Sequence, residues 1–425
     1  MTDSTSTLPA SQHSAGDGRA AEMLCDLAVA LGQAGTPAHR LEDALTRVAM
    51  HLGVKASFFA MPTAVFASFE PGAQPGEQTR GVTPHTRLIR LHSAETNLAR
   101  LTDLDQLLHD LVSGRVDAEQ ASRRLTELRA EPARYGRPLT MACFALVGAC
   151  AARFFGAGTH EIVAASVAGL AVGATVLYAG RRFAPVAEFV AGLIAAVVAV
   201  VAADRFAPCA VRPVLLAGLI VLIPGLTLTL AVTELATRNL VAGTARLMGA
   251  LTTFIAIGFG VAIGQQITGR ALGLDPAAPA TASSALPDWT LPASLLLVPF
   301  PFAVLFKARR RDIPAIAASA FTAYYGALLG ARLVGPELGV CVAAMLVGLA
   351  ANVYARLTRR PAAVPLLPGI LLLVPGSIGF ESVRSFVAHD ALAGVSTAFN
   401  MLFVAIAIVA GLLIANASAP SKRSL

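Results

Sequence analysis

Charge is scarce in this chain. Only 14% of its 425 residues are Asp, Glu, Lys or Arg, where soluble domains average about a quarter. Cysteine is scarcer still: Cys25, Cys143, Cys150, Cys209 and Cys341, with no CxxC pair and no CxxC…His spacing. That excludes a thiolate metal centre and a disulfide framework, and leaves the five as small buried apolar residues. No nucleophile elbow, P-loop or HExxH stretch occurs, so no catalytic residue is assigned and no cofactor is expected. The opening residues, MTDSTSTLPASQHSAGDG, lack a basic stretch followed by an apolar core. They read as a disordered leader, 1–19, and not as a signal peptide.

Apolar sequence is what the chain has in abundance, at 55%. Its distribution divides the chain in two. Through Pro138 there are 14 Lys/Arg against 16 Asp/Glu, the balance of an ordinary soluble domain; from Leu139 onward there are 19 against 10. The second part carries long apolar runs separated by short polar breaks, the signature of membrane-spanning helices. Ten spans are predicted, at 139–157, 161–180, 185–203, 213–235, 244–268, 291–306, 313–333, 336–355, 363–380 and 391–416. None has a charge at its centre, which argues against ion channels and electron carriers.

With the N-terminal part placed in the cytoplasm, 13 of the 19 basic residues after Leu139 fall in inside loops, the KARRRD cluster (Lys307 to Asp312) among them. The positive-inside rule then sets the orientation, with both termini and the tail, 417–425, cytoplasmic. The same placement accounts for the net charge of +7 without a nucleic-acid partner.

Within the fourth span VLIPGLTLT (Val221 to Thr229) sets a proline and a glycine side by side, and LLLVPGSIG (Leu371 to Gly379) does so again in the ninth. Proline in a helix interior costs roughly 3 kcal/mol and glycine about another 1. The two breaks superpose at an offset of 151 residues. Pro224 meets Pro375 and Gly225 meets Gly376, while Gly218, Gly243 and Arg205 meet Gly369, Gly394 and Arg356. A five-span unit, 139–268, is therefore repeated at 291–416. An odd number of spans inverts the second copy, and interrupted spans at matching positions of inverted repeats mark a midplane substrate site.

Backbone freed at Pro224, Gly225, Pro375 and Gly376 is suited to the charged ends of a small polar solute: helix N-termini to a carboxylate, unpaired carbonyls to an ammonium. The competing explanation is a kink or close helix packing. Polar side chains near the breaks are Thr227, Thr229, Ser377 and Asn400. Thr227 and Thr229 point to different faces, so one is expected to line a cavity and the other to bond back to a carbonyl. Glu188 and Glu234 are candidate proton-coupling groups, with pairing of Glu234 to Arg238 at i+4 as the alternative for the latter.

Residues 20–135 are expected to form a cytoplasmic α+β domain. Helices are predicted at 20–34 and 38–52 around Gly35-Thr36-Pro37, with Thr36 the N-cap and Pro37 at N1. Strands are expected at 55–60, 64–69 and 86–92, and helices at Asn97–Ser113 and Asp117–Leu128. His39 and Glu42, three apart on a helix, suit an acid–base pair or a solvated face; His85 and His92 bracket a strand.

The stretch LGQAGTPAHRLEDALTRVAMHLGVKASFFAMPTAVFASF, with TRLIRL, ten spans and two Pro-Gly breaks, resembles the threonine/serine exporter family. The resemblance runs from about residue 20 to the C-terminus. It implies a soluble domain and two related blocks of five spans in a bacterial inner membrane. It also implies export of L-threonine and L-serine driven by the proton motive force, with protons and the lipid bilayer as further partners. Relatives whose blocks are separate chains are linked to dicarboxylates such as succinate, and the family's soluble domain has been likened to hydrolases. A homo-oligomer is compatible with all of this.

Overall fold

The computed structural model describes residues 10–70, 84–91, 95–206, 208–273, 284 and 286–419. The N-terminal part holds helices α1 (Ala10–Gln33) and α2 (Ala38–His51), strands β1 (Ala56–Met61), β2 (Ala64–Phe69) and β3 (His85–Arg90), and helices α3 (Leu98–Val112) and α4 (Ala118–Ala130). The strands form one antiparallel sheet in the order β1-β2-β3. Leu24, Leu27 and Leu31 make a buried stripe on α1. They meet Leu41, Leu45 and Val48 of α2, Val65 of β2 and Leu104 and Leu108 of α3.

Three local expectations are corrected here. Helix α1 starts at Ala10, so part of the stretch read as a leader is helical, while residues 1–9 lie outside the described residues. Pro37, not Thr36, takes the N-cap position of α2 and no side chain caps it, because Pro37 is still extended at φ −60°, ψ 150°. Strand β3 begins and ends earlier than expected, and His92 falls outside the described residues.

The remainder is helical: α5 (Arg137–Phe154), α6 (Thr159–Tyr178), a short α7 (Gly180–Phe183), α8 (Ala187–Arg205), α9 (Val211–Leu219), α10 (Gly225–Ala236) and α11 (Leu240–Leu272). There follow α12 (Thr290–Leu297), α13 (Pro299–Leu305), α14 (Ile313–Val334), α15 (Pro336–Thr358), α16 (Ala363–Leu373), α17 (Gly376–Val387) and α18 (Ala391–Ser418). Among the described residues, eight segments are long and apolar enough to cross a membrane, with α16 and α17 taken together as one of them. The expected fourth span falls short of that length because it is divided into α9 and α10, and the sixth because α12 and α13 together are brief.

Small residues let these helices approach closely. A Cβ added to Gly192 or Gly260 would collide with backbone across the α8–α11 contact, and one added to Gly411 would do so across the α15–α18 contact. Several contacts recur 151 residues apart. Gly218 sits against Ala168 of α6, and Gly369 against Ser319 of α14; Gly243 sits against Leu235, and Gly394 against Phe386.

Candidate functional site

Helix α9 ends at Leu219, Ile220 to Ile223 form turns, and α10 restarts at Gly225; α16 ends at Leu373 and α17 restarts at Gly376. The prolines before the two restarts have nearly the same backbone, φ −79°, ψ 43° at Pro224 and φ −78°, ψ 29° at Pro375. Each carbonyl then accepts the first bond of its helix, from Leu228 N at 2.9 Å and from Gly379 N at 3.0 Å. Local sequence accounts for this much. Proline cannot continue the helix before it but fits the start of one, and glycine tolerates the crowded turn that follows.

Tertiary structure adds that the two breaks touch. A Cβ on Gly225 would lie 3.2 Å from Gly376 Cα and collide with Val374 Cγ1, and a Cβ on Gly376 would lie 3.3 Å from Gly225 Cα and 2.6 Å from Ile223 Cγ2. Around this crossing lies a cavity of about 670 Å³. It runs from Glu95, Thr96 and Lys307 beneath the N-terminal domain, past both breaks, to Phe154 and Phe155 at the far end of α5. The early amides of α10 and α17, at Leu226, Thr227, Gly376 and Ser377, the linker Ile220 to Ile223 and the last residues of α16 all belong to wall segments, while the carbonyl of Leu219 that ends α9 is taken up by Leu222 N and Ile223 N.

The expected site residues divide as follows. Pro224, Gly225, Thr227, Gly376, Ser377 and Glu188 line the cavity. Pro375 does not line it, although both of its neighbours do. Thr229 is 1% exposed, faces away from the cavity, and its hydroxyl donates to Gly225 O at 3.2 Å, the back-bonded role expected of one of the two threonines. Asn400 on α18 is not at the cavity, and its Oδ1 is buried with no partner among the described residues. Its distance in sequence from the break gave no indication of which face of α18 it would occupy. Sequence reasoning also missed Thr253 of α11, whose hydroxyl donates to Glu188 Oε1 at 3.1 Å on the cavity wall. Glu95 and Lys307 pair with each other, so Glu188 is the remaining carboxylate among the described wall residues.

Glu234 has a different place. It is fully buried, accepts from Arg246 Nε at 2.9 Å, and accepts from the backbone N–H of Ala38 at 3.0 Å. The expected partner, Arg238, is not used: at φ 67° it is already in the left-handed turn that ends α10 and leads into α11, while Arg246 on α11 comes back alongside. Glu234 therefore fastens the start of α2 to α10. Other ties between the two parts are Leu98 N to Phe306 O at 2.9 Å, Tyr135 Oη to Ala308 O at 2.8 Å, and an Arg309–Asp103 ion pair. His39 and Glu42 do not form an acid–base pair. Glu42 accepts from Ala60 N at 2.6 Å, and Nδ1 of His39 has no partner. Burial, with Arg40 next to it, pushes the His39 imidazole down to about 4.

Apolar helices around a chamber walled by two interrupted segments, with a folded domain fastened over one end, define a membrane transport protein. The comparisons give the particular kind. A family model described as threonine/serine exporter matches residues 22–268, and a second, described as Threonine/Serine exporter, ThrE, matches 294–417. The chain belongs to the threonine/serine exporter family, a family of membrane exporters.

The threonine/serine exporter of Corynebacterium glutamicum is 24% identical over 330 residues, covering 75% of this chain and 67% of the relative. Pheromone-regulated membrane protein 10 of Debaryomyces hansenii is 26% identical over 382 residues, 87% of this chain and 36% of the relative. The protein of that name from Candida albicans is 26% identical over 362 residues, 82% and 32%. The chain thus spans about a third of the length of these fungal relatives. No solved structure matches it.

Proposed function

We propose that the protein exports small hydroxy amino acids, L-threonine and L-serine, from the cytoplasm across a bacterial inner membrane by alternating access, driven by protons. One observation carries this proposal: Gly225 and Gly376 abut inside a chamber large enough for an amino acid. The substrate carboxylate would meet the amides of Leu226, Thr227, Gly376 and Ser377 at the starts of α10 and α17, and its ammonium the carbonyls of the linker after α9 and of the end of α16. Thr227 and Ser377 would bond the side-chain hydroxyl. Glu188, the chamber carboxylate with no ion pair among the described residues, would carry the coupling proton.

Ten spans arranged as two inverted five-helix repeats are part of the same proposal. Its support is the recurrence of contacts at a constant offset: Gly218 with Ala168 against Gly369 with Ser319, and Ile223 with Gly376 against Val374 with Gly225. Contacts of that kind follow from two copies of one fold. Two unrelated kinks would have no reason to share neighbours in register. The halves would rock about the crossing of the breaks, and residues 20–135 would move with α10 through Glu234 and gate the cytoplasmic mouth at Glu95 and Lys307.

The test is efflux of labelled threonine, serine and succinate from proteoliposomes, with and without an imposed pH gradient. Saturable threonine and serine efflux accelerated by the gradient is expected. Efflux of succinate alone would replace the substrate class, and no efflux of any of the three would end the proposal.

A further inference from the structure

The turn between α1 and α2 carries polar groups that the fold leaves unanswered. Thr36 is 4% exposed, and among the described residues its Oγ1 has no hydrogen-bond partner; Nδ1 of His39 is buried and equally without one among them. Arg40 is partly buried and makes no hydrogen bond or ion pair among the described residues. Asp43 and Asp105 act on it only from beyond ion-pair distance. Buried polar groups nearly always find partners, and a guanidinium drawn out of water without a carboxylate is costly. Three such residues within five positions point to a missing anion.

All three line a crevice of about 100 Å³ that shares only Thr96 and Leu226 with the walls of the substrate chamber. Away from the α1–α2 turn Leu230, Leu366, Ile370, Val409, Leu412 and Leu413 line the crevice, and the polar members there are already bonded: Thr229 and Thr233 to carbonyls of their own helix, Asn352 to Asn416. Leu413 is 40% exposed on the last turns of α18, so the crevice reaches the outer surface of the helical bundle. A small hydrophilic solute would satisfy the polar end and leave the leucines unfilled. A molecule with an anionic head and a hydrocarbon tail satisfies both.

We propose that this crevice binds an amphiphilic anion, its phosphate or carboxylate head against Arg40, His39 and Thr36, and its acyl chain between α10, α16 and α18. Arginine offers the head a planar fork of donors, and neutral imidazole and hydroxyl supply further hydrogen bonds. The enclosed volume takes the first few methylenes, and the rest of the chain passes Leu413 into the bilayer. The head lies next to the Ala38–Glu234 hydrogen bond, so occupancy would hold the N-terminal domain against α10. The inference rests on the bundle lying in a membrane and is independent of the cargo.

The experiment uses the full-length chain, delipidated in a neutral detergent, with thermal unfolding and native mass spectrometry as readouts. The probes are phosphatidylglycerol, laurate, phosphatidylcholine and threonine. Phosphatidylglycerol, laurate or both should raise the unfolding midpoint by about 2–4 °C and leave a bound adduct, while phosphatidylcholine does neither. Arg40→Gln should raise the half-effective concentration by about tenfold or more, the loss expected for one charge-assisted contact. Leu413→Trp, a change at the exposed mouth, should do the same without altering the ligand-free midpoint. A response to phosphatidylglycerol alone identifies the source as a membrane phospholipid, and one to laurate alone as a free fatty acid. Equal stabilisation by phosphatidylcholine overturns the proposal, as does a response undiminished in both variants. An Arg40-dependent response to threonine with none to either amphiphile would also overturn it, and would make the crevice a cargo-sensing site.

Discussion

Glu188 stands in the first turn of α8 on the chamber wall, held by the Thr253 hydroxyl, with no ion pair among the described residues. A carboxylate at membrane depth is the group to test for the proposed coupling role. Glu188→Gln should lower gradient-driven efflux by about tenfold or more while leaving threonine–threonine exchange intact; loss of both would make the residue structural. Thr227 and Thr229 differ in what their hydroxyls meet, the chamber in one case and Gly225 O in the other. Thr227→Val should therefore raise the KM for threonine efflux roughly 5–10-fold, the loss of about one hydrogen bond. Thr229→Val should change it little, and equal effects would contradict the assignment. His39 gives a pH prediction. Its imidazole is held near 4 when folded against about 6.5 when unfolded. Between those values the unfolded chain binds a proton that the folded one does not. Stability of the N-terminal part should thus rise with pH through that window and level off above about 6.5, by about 2 kcal/mol from pH 5 to pH 7.5. Thermal melts at the two pH values should show the difference in the parent protein and its loss in His39→Gln.

At the scale of elements, the informative units are the two half-helix pairs, α9–α10 and α16–α17. Each is broken by its own sequence, and each break is kept small by glycine because the other break lies against it. A side chain at either glycine must push the opposite backbone aside or fill the chamber. Gly225→Leu and Gly376→Leu should each reduce efflux by about tenfold or more with membrane insertion unchanged, as judged by expression and protease protection. Normal efflux from either would show that the crossing is not the transport site. The positions of the breaks were legible in the sequence because proline and glycine act locally, within one turn. Their contact was not, since it depends on how α9 and α10 pack against α16 and α17.

For the whole molecule, the two ends of the bundle are closed by different means. The N-terminal domain is fastened at one end through Glu234, Arg309 and Lys307. At the other end, Arg212 at the start of α9 reaches Glu381 of α17 at 2.8 Å, and Arg384 also binds Glu381 at 2.9 Å. The Arg212–Glu381 pair joins α9 to α17, so the proposed alternating access requires it to part when that end opens. A cleavable bifunctional thiol reagent joining Arg212→Cys to Glu381→Cys should stop efflux, and cleaving the link should restore it. Unimpeded efflux through the cross-linked protein would rule out opening at this end.

Hydropathy, the scarcity of charge and the Pro-Gly pairs determined that the chain is a bundle of apolar helices behind a small α+β domain, and where two of those helices break. These are properties of single segments: burying a run of leucines or removing one amide donor has the same consequence wherever the segment lies. Helix periodicity likewise announced the leucine stripes of α1 and α2. Tertiary structure decided which polar residues meet. It put Glu234 with Arg246 and Ala38 in place of Arg238, took Asn400 away from the chamber, brought Thr253 to Glu188, and left Arg40 without an ion pair among the described residues. Pairings of that sort turn on angstrom-scale packing between residues far apart in sequence, and in a bundle of similar apolar helices many alternative packings satisfy the same hydrophobic pattern.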